Sequence, residues 1–235
     1  MQIFYAAKID GDCVFIEGQE NQHLKVLRKN IGDEIVVIDG KSSAYSVLIE
    51  KISPQKSIGK ILSTYQSDAL TLQSKYHLHL AVAPTKNMDR MEWMVEKTCE
   101  LGIQQITFLI TKHSERKTIK FERLQKKALA ATKQSKKAFL PQFQICKISE
   151  FLAQDFKGKC CIAHCQDGKK TMLQKMKWNQ REEITIMIGP EGDFTNDEIY
   201  LATKNKFESV SLGLSRLRTE TAAIYATSCV YAYFT

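Results

Sequence analysis

The sequence has no long apolar run: stretches such as Ile35–Ile38 and Cys160–Ala163 are far too short to cross a bilayer. Its first residues, Met1-Gln2-Ile3-Phe4-Tyr5, lack the basic start and apolar core of a secretory signal. A soluble, cytoplasmic protein is therefore expected. The seven cysteines are scattered, odd in number and contain no Cys-x-x-Cys pair, which argues against a disulfide framework. Cys160, Cys161, His164 and Cys165 crowd together, but no second pair of ligands exists to complete a tetrahedral site. Buried strand thiols and no metal are the expectation there. Also missing are a Gly-x-Gly-x-x-Gly turn, a phosphate loop ending in Gly-Lys-Ser/Thr and a Gly-x-Ser-x-Gly elbow. Nicotinamide enzymes, P-loop ATPases and serine hydrolases lose ground accordingly.

What is present is enough apolar residue for a core, 43% of 235 residues, and a net charge of +8. An excess of cations favours a polyanionic partner, because phosphate contacts release counterions. Its distribution is more telling. Ten Lys or Arg and only two acids, Glu115 and Glu122, lie between Lys112 and Lys137. Like charges in one run repel, so the run is a poor device for solubility alone.

The chain changes texture once. Up to about residue 70 it reads as β, with Ile35–Ile38 entering the turn at Asp39-Gly40, Ala44–Ile49 returning, and Ile58–Leu62 as a further strand. A small barrel is expected for 1–70, interrupted by a helix over Asn21–Lys29 that carries His23, Lys25 and Arg28. The polar stretch Gln66–Lys75 is the candidate linker, and a second domain covers 74–235. There, apolar strands at Tyr76–Ala83, Gln105–Ile110, Lys159–Ala163, Glu183–Ile188 and Ser209–Leu214 alternate with helices. The helices are expected at Lys86–Leu101, Ile119–Ala138, from the capping box Thr195-x-x-Glu198 to Lys206, and at Thr221–Tyr233. Such alternation implies a mostly parallel sheet covered on both faces.

Ligands bind beyond the carboxyl ends of the strands in open α/β sheets. Three such ends stand out: Ile188-Gly189-Pro190-Glu191-Gly192-Asp193-Phe194, Leu212 through Ala222, and Ala163-His164-Cys165. The first is a tight loop whose backbone could approach a ligand closely.

Ile188-Gly189-Pro190-Glu191-Gly192 together with Leu217-Arg218-Thr219-Glu220-Thr221-Ala222 resembles the SPOUT superfamily of knotted methyltransferases. Within it, the chain looks like the family that methylates N3 of a uridine in bacterial small-subunit ribosomal RNA. The likeness extends to His23–Arg28, Asp39-Gly40, Arg90-Met91-Glu92, Glu100-Leu101-Gly102, Ser114-Glu115-Arg116 and Gln134-Ser135. It departs at Leu214-Ser215, where the family shows Pro-Arg, and at Lys133 and Lys137. The resemblance implies a PUA-like β-barrel, then an α/β domain with a C-terminal trefoil knot, S-adenosylmethionine as cofactor, and a homodimer. Carried over, Ile188, Gly189, Pro190, Glu191 and Gly192 form one cofactor wall. Leu212, Gly213, Leu217, Arg218, Thr219, Thr221 and Ala222 form another, with His164 at the third strand end.

A sulfonium leaves neutral, so methyl transfer needs alignment of N3 and removal of its proton more than acid catalysis. Arg218 is the electrostatic candidate and Glu220 could orient it or accept a proton; the two could equally pair only to shape the loop. The expected partner is small-subunit ribosomal RNA or the assembled subunit. RNA-binding candidates are His23, Lys25 and Arg28 on the small domain and Arg90, Lys112, Arg116, Arg123, Lys126 and Lys127 on the large one. Another SPOUT methylation, or a noncatalytic ribosome-assembly role, is the alternative.

Overall fold

The computed structural model describes residues 2–67, 70 and 75–235, so most of the candidate linker Gln66–Lys75 lies outside the described residues. The chain forms two compact units, Met1–Gln73 with Leu129–Leu140, and Ser74–Ala128 with Pro141–Thr235.

The first unit is a six-stranded sheet. Its strands are β1 (Ile3–Tyr5), β2 (Lys8–Asp10), β3 (Cys13–Glu17), β4 (Glu34–Ile38), β5 (Ala44–Ile52) and β6 (Lys56–Thr64). Their order is β1-β4-β5-β6-β3-β2, antiparallel except where β1 pairs with β4. The two edge strands, β1 and β2, are separated in sequence only by Ala6 and Ala7. That short link makes the sheet curl until its edges approach, giving an incomplete barrel. Inside the curl lie Phe4, Val14, Ile16, Leu24, Ile35, Val37, Val47 and Ile49, all buried. Helix α1 (Gly18–Val26) starts three residues earlier than expected and has no side-chain cap at Glu17. Consequently His23 and Lys25 lie on the helix, whereas Arg28 follows it in a left-handed turn at φ 53°. From the later segment of this unit, Ala138 joins a buried cluster with Ile3, Val36, Ile38 and Ala44. Lys133 Nζ meets the Glu20 carboxylate at 2.5 Å, so that departure from the family pattern has a structural partner.

The second unit is a seven-stranded, wholly parallel sheet flanked by helices. Its strands are β7 (His77–Val82), β8 (Gln105–Ile110), β9 (Gln142–Lys147), β10 (Lys159–Ala163), β11 (Thr171–Met172), β12 (Glu183–Ile188) and β13 (Glu208–Ser211). The order is β11-β13-β10-β12-β7-β8-β9. From β7 the chain builds outward to β9, then returns to lay β10 on the other side. β12 fills the slot between β10 and β7. The order therefore reverses at β7, and the ends of β13, β10 and β12 lie side by side.

Helices α2 (Met88–Glu100) and α6 (Thr219–Phe234) pack together, and α6 also lies on β7 and β12. The opposite face of the sheet meets α4 (Ile148–Leu152) and α5 (Asn196–Lys204) around Phe151, Phe194 and Phe207. Each of these fully buried rings contributes about 1.5–3 kcal/mol of hydrophobic stabilisation. The remaining helix, α3 (Phe121–Gln134), ends four residues before the expected Ala138, and Lys136 beyond it has φ 57°. The Thr195 capping box is present as expected: Thr195 Oγ1 accepts from the Glu198 amide at 3.2 Å, and Glu198 Oε2 accepts from the Thr195 amide at 2.8 Å. Among the described residues no helix is long and apolar enough to cross a membrane.

Candidate active site at three adjacent strand ends

A cavity of about 510 Å³ opens beyond the carboxyl ends of β10, β12 and β13. The three loops singled out from sequence converge there. From β10 come Ala163, His164 and Cys165; from β12, Ile188, Gly189, Pro190, Glu191 and Asp193. The segment after β13 supplies Leu212, Gly213, Leu217, Arg218, Thr219 and Ala222. Strand β13 stops at Ser211, not at the expected Leu214, because the chain turns away through Gly213 at φ 132°. Around that glycine a Cβ would meet nothing within 4 Å, so the backbone faces open space.

Two hydrogen-bonded ties hold the walls. Thr219 Oγ1, buried at the first position of α6, donates to Gly189 O at 2.9 Å and joins the third loop to the second. Asp193 joins the second to the first: its Oδ2 accepts from the Cys165 amide and its Oδ1 from the Phe194 amide, both at 2.8 Å. Asp193 adopts φ 61°, a conformation costly for a residue with a Cβ and maintained here by those bonds. Sequence reasoning quoted Asp193 within its loop but gave it no role. Cys165 and Arg216 likewise stand within the loops named from sequence without a role of their own, and Lys170 carries no local signal; all three line the cavity. Only the composition of the tight Gly-Pro-Glu-Gly-Asp turn hinted at such a fastener.

The lining carries both signs of charge on an apolar floor. Ile188, Val210, Leu217 and Ala222 supply the floor, Glu191 and Asp193 the anions, and Lys170, Arg216 and Arg218 the cations. Lys170 Nζ donates to His164 O at 2.8 Å, and Arg216 Nη2 to Glu191 O at 3.3 Å. His164 hydrogen-bonds Ser209 Oγ through Nε2 at 3.0 Å; burial, reinforced by the Lys170 charge, lowers its pKa and favours the neutral ring. Cys160 and Cys161 lie buried in β10, their thiols pushed up to about 11 and about 12 by desolvation.

Three expected residues stand elsewhere. Gly192 does not line the cavity and instead abuts His113, whose side chain a Cβ there would meet at 3.1 Å. Thr221 is exposed on α6 and is not part of the cavity lining. Glu220 is buried behind the wall, 3.6 Å from Arg90 Nε, so its ion pair is with Arg90 and not with Arg218. Residues two apart at a helix start point in different directions, which is why the adjacent charge was the wrong partner. Arg218 is exposed and lines the cavity at the N-cap of α6.

The basic stretch is partly committed to structure. Arg116 donates to Thr85 O at 3.3 Å and to Lys86 O at 2.6 Å, bracing the loop after β7. Arg123 pairs with Glu92 at 2.7 Å and Lys127 with Glu96 at 3.8 Å. The Lys112 and Lys126 residues are exposed. In the first unit, His23 is tilted against Phe4 with centroids 5.5 Å apart, Lys25 donates to Pro54 O at 3.2 Å, and Arg28 is exposed.

Residues 72–231 match the family described as RNA methyltransferase domain, and residues 16–62 match RNA methyltransferase PUA domain. A curated relative, Ribosomal RNA small subunit methyltransferase E of Rickettsia conorii, is 31% identical over 86% of this chain and 81% of its own length. The crystal structure of a probable rRNA-methyltransferase from Porphyromonas gingivalis is 32% identical, with a TM-score of 0.86 over 99% of this chain and 98% of that one. A Legionella pneumophila methyltransferase in complex with the bound cofactor SAM is 27% identical, with a TM-score of 0.79 over 98% of this chain and 96% of that one. This chain is thus a two-domain enzyme of the RNA-modifying class. It belongs to the RNA methyltransferase family whose relatives carry the small-subunit ribosomal RNA name.

Proposed function

We propose that this protein methylates N3 of a uridine in small-subunit ribosomal RNA, with S-adenosylmethionine as donor. The observation that carries the reading is the cavity where the β10, β12 and β13 loops converge, lined by Gly189, Pro190 and Glu191 and by Leu217, Arg218 and Thr219. Its chemistry suits that cofactor. An apolar floor accommodates an adenosine, and charges of both signs complement a zwitterionic amino acid carrying a sulfonium. A likeness to a SAM-bound relative supports the same assignment. Bound there, the cofactor would supply an electrophilic methyl on a neutral leaving group.

The protein's part is then orientation and charge. Thr219 and Asp193 hold the three walls in register. Arg218, at the mouth of α6, is placed on the lining where its guanidinium would favour a uracil that has lost its N3 proton. Glu220 acts from behind: buried and paired with Arg90, it sets the start of α6 and is not a proton acceptor in the cavity. The exposed Lys112 and Lys126 would meet phosphates and position the RNA. The threading of β12 between β10 and β7 supports a knotted path, and the mostly apolar α6, with Tyr233 exposed, supports pairing of two copies.

The test is incubation with S-adenosylmethionine and undermodified small ribosomal subunits, followed by mass spectrometry of the digested nucleosides. N3-methyluridine should appear with the parent and fall at least about 100-fold with Arg218→Ala, the loss of one preorganised charge contact. A methyl group on ribose or on another base would refute the N3 assignment. Calorimetry with S-adenosylhomocysteine separates binding from chemistry: a folded parent that does not bind would overturn the enzyme reading.

A further inference from the structure

We propose that His113 is a positioning residue that couples the basic loop after β8 to the cofactor wall, so that RNA and the S-adenosyl ligand tighten each other's binding. This rests on the function proposed above and adds the device that would link its two ligands.

His113 Nδ1 lies 3.0 Å from Gly192 O and 3.0 Å from Asp193 O. Both oxygens can only accept, so Nδ1 must carry the proton and donate to the pair. The ring also sets the clearance beside Gly192, where an added Cβ would come within 3.1 Å of it. Asp193 passes the contact on. Its carboxylate takes the Cys165 amide at 2.8 Å, and both Asp193 and Cys165 line the cavity. A continuous chain therefore runs from His113 through Asp193 to the β10 loop. A second bond fixes the same loop: the Lys112 amide donates to Glu198 Oε1 at 2.9 Å, and Glu198 completes the capping box of α5.

The charge of this loop explains what would act on the chain. Lys112, Lys117 and Lys120 are exposed in the segment that carries His113, and His113 itself is at the surface. A phosphate backbone seated on these lysines would order residues 112–120, and the latch would carry that order to Asp193 at left-handed φ. Packed, hydrogen-bonded contacts of this kind are the physical medium of coupling between sites. Linkage then makes the effect reciprocal.

The experiment measures S-adenosylhomocysteine affinity with and without purified small ribosomal subunits, and subunit affinity with and without S-adenosylhomocysteine. The parent should show the same mutual tightening in both directions, about fivefold or more. His113→Leu should abolish the tightening while melting like the parent, since the side chain is exposed. His113→Asn should restore it, because the Asn amide nitrogen can occupy the Nδ1 position and donate. Tightening that survives in His113→Leu, or that Asn fails to restore, overturns the proposal. So does a parent that binds both ligands independently, with the methyltransferase reading intact. A parent that binds no S-adenosylhomocysteine refutes that reading itself, and the coupling with it.

Discussion

Thr219→Val tests whether the cavity walls are held by the tie between the second and third loops. Thr219 is 4% exposed, and its hydroxyl is the hydrogen-bond donor to Gly189 O at 2.9 Å. Valine keeps the shape and removes only the donor, so the Gly189 carbonyl is left buried without a partner. Stranding a buried acceptor costs about 1–3 kcal/mol. In a chain of 235 residues each kcal/mol lowers the melting temperature by about 2–4 °C, so calorimetric melts resolve the loss. The same tie aligns Gly189 with Leu217 and Arg218 across the cavity. S-adenosylhomocysteine affinity should therefore fall about five- to tenfold, since tenfold corresponds to about 1.4 kcal/mol. Thr219→Ser keeps the hydroxyl and should recover most of both losses. Parent-like melting and binding in Thr219→Val would refute the reasoning, as would a serine variant as impaired as the valine.

Gly158→Ala should yield no soluble folded protein, because φ is +72° and the new Cβ would lie 2.1 Å from Glu183 O, a backbone atom that cannot step aside; circular dichroism of the expressed variant checks this. His79, held by Thr107 at 2.7 Å, has its pKa lowered to about 4 by burial and by His77. The unfolded chain binds the proton near pH 6.5, so this group's stability is complete above that pH and is lost towards pH 4, about 3 kcal/mol in all. Urea midpoints between pH 6.5 and 5 should fall less steeply in His79→Gln, and an unchanged slope would reject the assignment. Lys112→Gln combined with Lys126→Gln should weaken RNA binding uniformly and reduce its salt slope by up to about 2, one per lost phosphate contact, as read by filter binding across salt concentrations.

The central parallel strands are legible because each is a short apolar run in a buried layer. Gln105–Ile110, Lys159–Ala163 and Glu183–Ile188 appear with the expected bounds. The strand expected to end at Leu214 ends at Ser211 for an instructive reason. Leu212 and Leu217 are apolar because they face a ligand cavity, and periodicity cannot distinguish that from pairing. Strand β9 is not legible in the sequence because Gln142-Phe143-Gln144-Ile145-Cys146-Lys147 lies at the sheet edge, with three residues exposed and the other three only partly buried. Helix α1 was misplaced because Glu17 provides no capping side chain to mark its start. The three strands that open the chain are three to five residues long, too short for alternation to register.

The candidate site divides along the same physical line. Loops at strand ends announce themselves through local chemistry: glycine, proline and the capping preferences of the helix that follows. The fasteners between loops do not, since each joins residues far apart in sequence. Thr219 reaches back 30 residues to Gly189, Asp193 reaches back 28 to Cys165, and His113 lies 79 before Gly192. Glu220 shows the cost of assuming otherwise. Its neighbour Arg218 was the natural partner on paper, yet Arg90 on the packed helix α2 takes the carboxylate. That exchange leaves Arg218 exposed on the cavity lining with its charge not spent on Glu220, as the role proposed for it requires. The burial of Glu220 and the availability of Arg218 are thus two consequences of one packing decision between α2 and α6. Arg90→Met should accordingly strand the buried Glu220 carboxylate, lowering the melting temperature read by calorimetry and, by loosening the start of α6 that carries Arg218, slowing methyl transfer read by nucleoside mass spectrometry.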